Sequence, residues 1–264
     1  MQNSLAILVS SYDGCSDLWP PYFAAFRRNW PDCAYPVYLL SNDKTFPDPS
    51  VRPIQTGPVR GWPESMRLAL HRIPEEFVLL LLEDLFLASP IDNSRFERLA
   101  AWIAEQRPAC IRLQPDPAMV PTGFPQICAL PPGALYRAST VFSLWRKDVL
   151  LDLLRPGESI WQFEILGSRR TDKYPDFYVT GQACVHYIHG VIRGKWVPRA
   201  QKQMLALGYP VQTEARPPFS LADRLVQRGR ELRAHTLRKL PARYQRAVRL
   251  YFSTARRSAG GDQQ

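Results

Sequence analysis

The longest uninterrupted run of large aliphatic residues in this chain is Val78-Leu-Leu-Leu-Leu82, and two carboxylates, Glu83 and Asp84, follow it at once. A continuous apolar run of that length predicts a central strand covered on both faces of a parallel sheet. Shorter apolar runs at residues 5–9, 35–40, 51–54 and 110–113 predict further strands, each breaking into a polar loop. The stretches between them carry helical spacing. Trp19, Phe23, Phe26 and Trp30 fall on one stripe behind Asp17, which reads as an N-cap. Residues 61–70 read as a helix with Pro63 in its first turn and Glu64 near its positive end. Ser94-Arg-Phe-Glu97 matches a capping box ahead of Phe96, Leu99, Ala100 and Ile103. Alternation of strand and helix predicts an α/β fold with a mainly parallel sheet flanked by helices, in one domain over residues 1–215.

Beyond residue 113 the pattern loosens. Residues 114–135 hold six prolines and little periodicity, which reads as a long loop. Residues 136–145 then suggest a strand, 147–154 a short helix, 159–167 a second short helix, and 183–188 a late strand. Residues 216–264 differ in kind. Ser220 reads as the cap of a helix carrying Leu221, Leu225 and Leu232. Past Pro241, the residues Tyr244, Ala247, Val248, Tyr251, Phe252 and Ala255 form an apolar stripe opposite Arg243, Arg246, Arg249, Arg256 and Arg257.

Charge sharpens that division. The net charge is +10, yet residues 220–257 hold eleven Lys or Arg against only Asp223 and Glu231, so the preceding body is nearly neutral. A basic amphipathic tail with aromatics on its apolar face suits an anionic membrane surface, or a docked helix with a solvated basic face. Nucleic-acid binding is not expected, because aromatics suited to base stacking are not interleaved with basic residues in the body. The five cysteines are scattered, odd in number and without a CxxC pair, which excludes a disulfide framework and a zinc ribbon and fits a reducing compartment. With no signal-peptide pattern and no apolar run of spanning length, a cytoplasmic protein is expected.

Candidate chemistry collects at the carboxyl ends of the expected strands, where open α/β sheets bind ligands. Ser10, Tyr12 and Asp13 follow the first strand, Asp43 the second, and Glu83 and Asp84 the central one. The first loop matches neither GxGxxG nor GxxxxGK[ST], so neither a dinucleotide fingerprint nor a Walker loop is present. Two adjacent ionised carboxylates need a cation, a donor or an Arg to compensate them. They suit a divalent metal or a sugar.

Five segments together resemble the bacterial GT-A-type glycosyltransferases of surface-polysaccharide biosynthesis, the enzymes of O-antigen and capsule assembly. These are Ile7-Leu-Val-Ser-Ser-Tyr-Asp13, Leu39-Leu-Ser-Asn-Asp43, Leu80-Leu-Leu-Glu-Asp-Leu-Phe-Leu87, Gly157-Glu-Ser-Ile-Trp-Gln-Phe-Glu164 and Arg193-Gly-Lys-Trp196. The resemblance implies a GT-A-like, Rossmann-like fold that moves a sugar from a nucleotide-diphosphate donor to a glycan acceptor, lipid-linked and at the membrane. It implies that Ser10, Tyr12, Asp13 and Asp43 line the donor nucleoside, with Arg67 approaching the base or phosphates. Glu83 and Asp84 would stand in for the Asp-x-Asp metal motif, although Leu85 departs from it, and Asp84 with His189 would hold Mn or Mg. Arg193 and Lys195 would clamp the diphosphate. Glu164 would be the general base of an inverting transfer, with Glu158 as the alternative, and Trp161 and Tyr136 would meet the acceptor. The alternatives are a nucleotidyltransferase of similar sheet topology, which would be expected to carry Arg or Lys in the first loop, and a non-catalytic basic binding protein.

Overall fold

A computed structural model describes residues 4–58 and 61–217, together with Phe219, Ser220, Ala222, Asp223, Val226 and Gly229. The second helix expected in the basic tail, and most of the first, lie outside the described residues.

The strands, in chain order, are β1 (Leu5–Ser10), β2 (Val37–Ser41), β3 (Val51–Gln55), β4 (Phe77–Leu82), β5 (Leu85–Leu87), β6 (Cys110–Arg112), β7 (Val120–Pro121), β8 (Ile127–Ala129), β9 (Ser143–Arg146), β10 (Phe177–Thr180), β11 (Tyr187–His189), β12 (Val191–Ile192) and β13 (Lys195–Trp196). Four main helices join them: α1 (Trp19–Asn29), α2 (Trp62–Arg72), α3 (Asn93–Gln106) and α4 (Lys147–Leu153). A further helix spans Pro198–Ala206. Nine strands form one mixed, Rossmann-like sheet in the order β3-β2-β1-β4-β9-β6-β10-β8-β7. The four strands β3, β2, β1 and β4 are parallel to one another, β9 runs antiparallel between β4 and β6, and β10 is parallel to β6.

The continuous apolar runs are explained by burial on both sides. Ile7, Val9, Leu39, Leu79 and Leu81 face one core with Tyr22, Phe23 and Phe26 of α1 and Phe96 and Leu99 of α3. Ala6, Leu8, Tyr38, Leu40, Val78 and Leu80 face the opposite core with Met66 and Leu70 of α2 and Val149 and Leu150 of α4. Alternate residues of one strand therefore enter different cores, and a polar residue at any of these positions would be buried. Each of the large side chains contributes on the order of 2 kcal/mol by leaving water.

Several local expectations change. Asp17 does not cap α1: residues Asp13–Leu18 form a 3-10 turn, and α1 begins at Trp19 with a proline in its first turn. The cap of α3 is Asp92, whose carboxylate accepts from the Arg95 amide at 3.0 Å, while Ser94 donates to Asp92. Of the strand expected over residues 136–145, only Ser143–Arg146 pairs; upstream, Tyr136 and Phe142 take positive φ, which no regular strand accommodates. The segment 159–167 begins with a true capping box between Ser159 and Gln162, then widens into a π turn over Phe163–Gly167.

β1 is the strand at which the order reverses. β2 and β3 extend to one side of it and β4 lies on the other. A crevice opens at the carboxyl ends of strands flanking such a switch point, and these are the ends that carry Ser10 and Leu82-Glu83-Asp84.

Candidate active site

The first wall of the crevice is the loop after β1, and Asp13 holds it in place. Its carboxylate accepts from the backbone amides of Asn42, Asp43 and Lys44 at 2.9–3.3 Å, and Asn42 Oδ1 accepts in return from the Asp13 amide at 3.1 Å. Asn42 also donates to the Gly57 carbonyl. These bonds use Asp13 to tie the β1 and β2 loops together, so its carboxylate positions the wall. The Asp43 side chain is exposed beside it. Ser10 is buried and accepts from Trp62 Nε1 at 3.0 Å, and Ser11 accepts from Trp19 Nε1 at 2.8 Å.

Arg67 is not at this wall. It lies on α2 and donates to the carbonyls of Leu151 and Leu154 at the end of α4, where a cation suits the helix C-terminus.

Glu83 and Asp84 diverge. Glu83 turns toward the 3-10 turn, within hydrogen-bond reach of the Cys15 thiol and close to Tyr22 and Arg216. Burial, then the neighbouring Asp84, push its pKa up to about 7. Burial and Glu83 together push the Cys15 thiol up as well. Asp84 turns toward β11, where its Oδ2 lies 3.3 Å from His189 Nε2, and its carbonyl accepts from the Gly190 amide at 2.8 Å. The chain passes so close here that a Cβ on Gly190 would meet the Phe86 ring at 2.2 Å. The expected pair Asp84 and His189 is thus brought together by β5 pairing with β11.

One carboxylate and one imidazole at this spacing pair with each other. Among the described residues no cluster of three or more His, Cys, Asp or Glu could hold a metal ion. A divalent ion here would take two protein donors, one oxygen and one nitrogen, and would need its other positions filled by substrate phosphates and water.

Glu164 is the second residue of the π turn Phe163–Gly167. Its Oε1 accepts from the Thr140 amide at 2.8 Å, from Thr140 Oγ1 at 2.9 Å and from Ser139 Oγ at 3.3 Å. Among the described residues none bonds Oε2. Burial raises the pKa of this carboxyl, and the Thr140 and Ser139 bonds and the Arg112 charge oppose the rise. Glu158, in contrast, is only 5% exposed and forms a two-pronged ion pair with Arg170 at 2.6 and 2.8 Å. Both of its oxygens are occupied. Trp161 stands one turn before Glu164 and is 52% exposed. Tyr136 is half-buried at φ 51°, and its carbonyl accepts from Arg112 at 3.1 Å.

Arg193 and Gly194 form the two-residue turn between β12 and β13, both with positive φ as a type I′ hairpin requires. Arg193 is exposed at the tip, whereas Lys195 pairs with Asp223 at 2.8 Å. The feature that the sequence did not reveal is Arg216. It lies 199 residues from Asp17, forms a two-pronged pair with it at 2.7 and 2.8 Å, and also reaches the carbonyls of Gly14 and Gly194. The chain just past the expected boundary at 215 is therefore strapped across the β1 loop and the 193–194 turn.

No protein-family model matches the sequence, and no curated protein matches it. In overall structure the chain is similar to S. aureus TarS residues 1–349, at 13% identity over 79% of this chain and 67% of that one, with a TM-score of 0.49. It is equally similar to the same fragment in complex with UDP-GlcNAc, at 14% identity over 79% and 68%, TM-score 0.49. It is also similar to a CMP:2-keto-3-deoxy-manno-octonic acid synthetase complexed with CTP, at 15% identity over 77% and 98%, TM-score 0.45.

Proposed function

We propose that this protein is a nucleotide-sugar-dependent glycosyltransferase with Glu164 as the general base of an inverting transfer. The observation that carries this reading is the asymmetry of the Glu164 carboxylate: Oε1 is fixed by three donors and Oε2 carries none among the described residues. A base needs one oxygen oriented and one available.

The donor nucleoside lies against the wall formed by Ser10, Tyr12, Asp43 and Trp62, at the switch point of the sheet. Its diphosphate lies toward Asp84, His189 and the exposed Arg193. A divalent cation, Mn or Mg, held by Asp84 and His189, would neutralise charge on the leaving diphosphate. An acceptor hydroxyl hydrogen-bonded to Glu164 Oε2 gives up its proton there as its oxygen attacks the anomeric carbon. The bond from that carbon to the phosphate oxygen breaks, and the diphosphate departs with the electron pair. Attack from the face opposite the leaving group inverts the anomeric centre. The acceptor is a glycan, lipid-linked, presented where the basic tail of residues 216–264 meets an anionic cytoplasmic membrane face.

The test is turnover of a panel of nucleotide sugars, with and without Mn²⁺, by wild type and Glu164→Gln. The substitution should lower turnover by about 10²–10⁴-fold, the usual contribution of a positioned base, while nucleotide-sugar binding persists. Absence of binding to every nucleotide sugar tried would defeat the reading.

A further inference from the structure

Tyr187 lies where the reaction proposed above needs its acceptor, although no motif of the chain marks it. In the pairing of β11 with β5, Tyr187 opposes Leu87 and His189 opposes Leu85. Being two apart, Tyr187 and His189 stand on one face of β11, and both are exposed while Ile188 turns the other way. His189 meets Asp84, which fixes that face as the one looking into the crevice. Its ring packs on Phe142, two residues from Thr140, whose amide and hydroxyl bind Glu164, so Tyr187 is joined through short stretches of chain to both the Asp84–His189 pair and the proposed base.

The ring is also held rigidly. Phe142 backs it, with centroids 5.0 Å apart and planes at 34°, yet Tyr187 remains 38% exposed. Phe142 is fully buried at φ 44°, a left-handed conformation that is unfavourable for a bulky residue and persists only where the surroundings enforce it. One ring face is thus supported by the core and the rest opens to the crevice. An aromatic face of this kind, carrying negative charge density, attracts the weakly positive C–H groups on the apolar side of a pyranose.

We propose that Tyr187 is the platform on which a pyranose ring of the acceptor stacks, positioning its hydroxyl between Glu164 Oε2 and the donor's anomeric carbon and thereby selecting the acceptor. This rests on the transferase reading. It predicts a preference for saccharides with a continuous apolar ring face over acyclic polyols of equal hydroxyl count.

The experiment uses the full chain as wild type, Tyr187→Phe and Tyr187→Ala, with methyl glycosides of hexoses and N-acetylhexosamines as probes. Three quantities are read: acceptor KM and kcat, hydrolysis of the nucleotide sugar without acceptor, and glycoside binding without donor. Tyr187→Ala should raise acceptor KM at least tenfold and weaken donor-free glycoside binding by a similar factor. The rise in acceptor KM should exceed any fall in donor hydrolysis by at least fivefold, and Tyr187→Phe should retain acceptor binding. Equal loss in the Phe and Ala variants would assign the effect to the hydroxyl and overturn the platform. An equal fall in donor hydrolysis, or no change in KM, would also overturn it. Failure of the transferase reading appears separately, as absence of nucleotide-sugar binding by wild type. Glycoside binding without donor then still decides the matter, and wild-type protein that binds none of the glycosides sinks the proposal.

Discussion

At the scale of single residues, the two glutamates of the 158–164 segment show how burial and partners separate chemistry from structure. Glu164 has its pKa raised by burial, and in the proposed reaction it would act in its ionised form. As pH falls through that raised pKa the base is protonated, so kcat/KM should decline on the acid side, with an inflection above the ordinary glutamate value of about 4.3. In Glu164→Gln the residual rate should lose this acid limb. A wild-type inflection at or below the ordinary value would count against Glu164 as base. Glu158 carries the opposite expectation. Removing one member of its buried pair strands Arg170, which typically costs about 3 kcal/mol. Thermal melting should therefore show Glu158→Gln clearly destabilised, with turnover of the folded fraction within a few-fold of wild type at low temperature. A stable but inactive Glu158→Gln would reverse the two roles.

At the scale of elements, the crevice is assembled by segments that reach it from far along the chain. Asp13 links the loops after β1 and β2, and the Arg216 strap links the β1 loop to the 193–194 turn. The Asp17–Arg216 pair is nearly buried, at 14% and 8% side-chain exposure. Asp17→Asn and Arg216→Gln should each lower stability, and the double variant should lose less than the sum, with a coupling of about 1–3 kcal/mol in a double-mutant cycle. Strict additivity in chemical denaturation would mean that the strap bears no load. The strands from β1 to β4 were legible in the sequence because uninterrupted apolar runs report burial on two faces. Ser10, Asp43, Glu83 and Asp84 were legible as site candidates because polar residues directly follow those runs. Tyr187 and Arg216 were not legible. β11 is three residues long and owes its existence to pairing with β5, and the partner of Arg216 lies nearly the whole chain away. The antiparallel direction of β9 was hidden for a related reason, since Ser143-Leu-Trp-Arg146 carries the same apolar pattern whichever way it runs. Asp17 misled because a carboxylate just before an aromatic stripe reads as a cap, when its oxygens are instead occupied by a guanidinium.

At the scale of the whole molecule, charge is divided along the chain more sharply than structure is. The body is nearly neutral, and nine of the eleven basic residues between 220 and 257 lie beyond Gly229. No helix among the described residues is long and apolar enough to cross a membrane. From its sequence, with eleven Lys or Arg between 220 and 257 and an aromatic apolar stripe, attachment through the tail would be electrostatic together with shallow apolar burial. Each Lys or Arg near an anionic surface contributes about 1 kcal/mol at low salt, and the interaction is screened over roughly 8–10 Å at physiological ionic strength. Full-length protein should sediment with phosphatidylglycerol-containing vesicles at low salt and be released as salt rises toward 0.5 M, while neutral phosphatidylcholine vesicles leave it in solution. Truncation must spare Arg216 and Asp223, because both hold the body together near the crevice. A chain ending at Gly229 keeps those two anchors and removes most of the positive charge. It should lose vesicle binding, retain its melting temperature, and keep turnover on soluble acceptors while losing it on lipid-linked ones. If the truncated chain binds anionic vesicles as well as the full chain does, the tail is not the membrane contact. If it melts lower, residues beyond 229 contribute to the stability of the body instead.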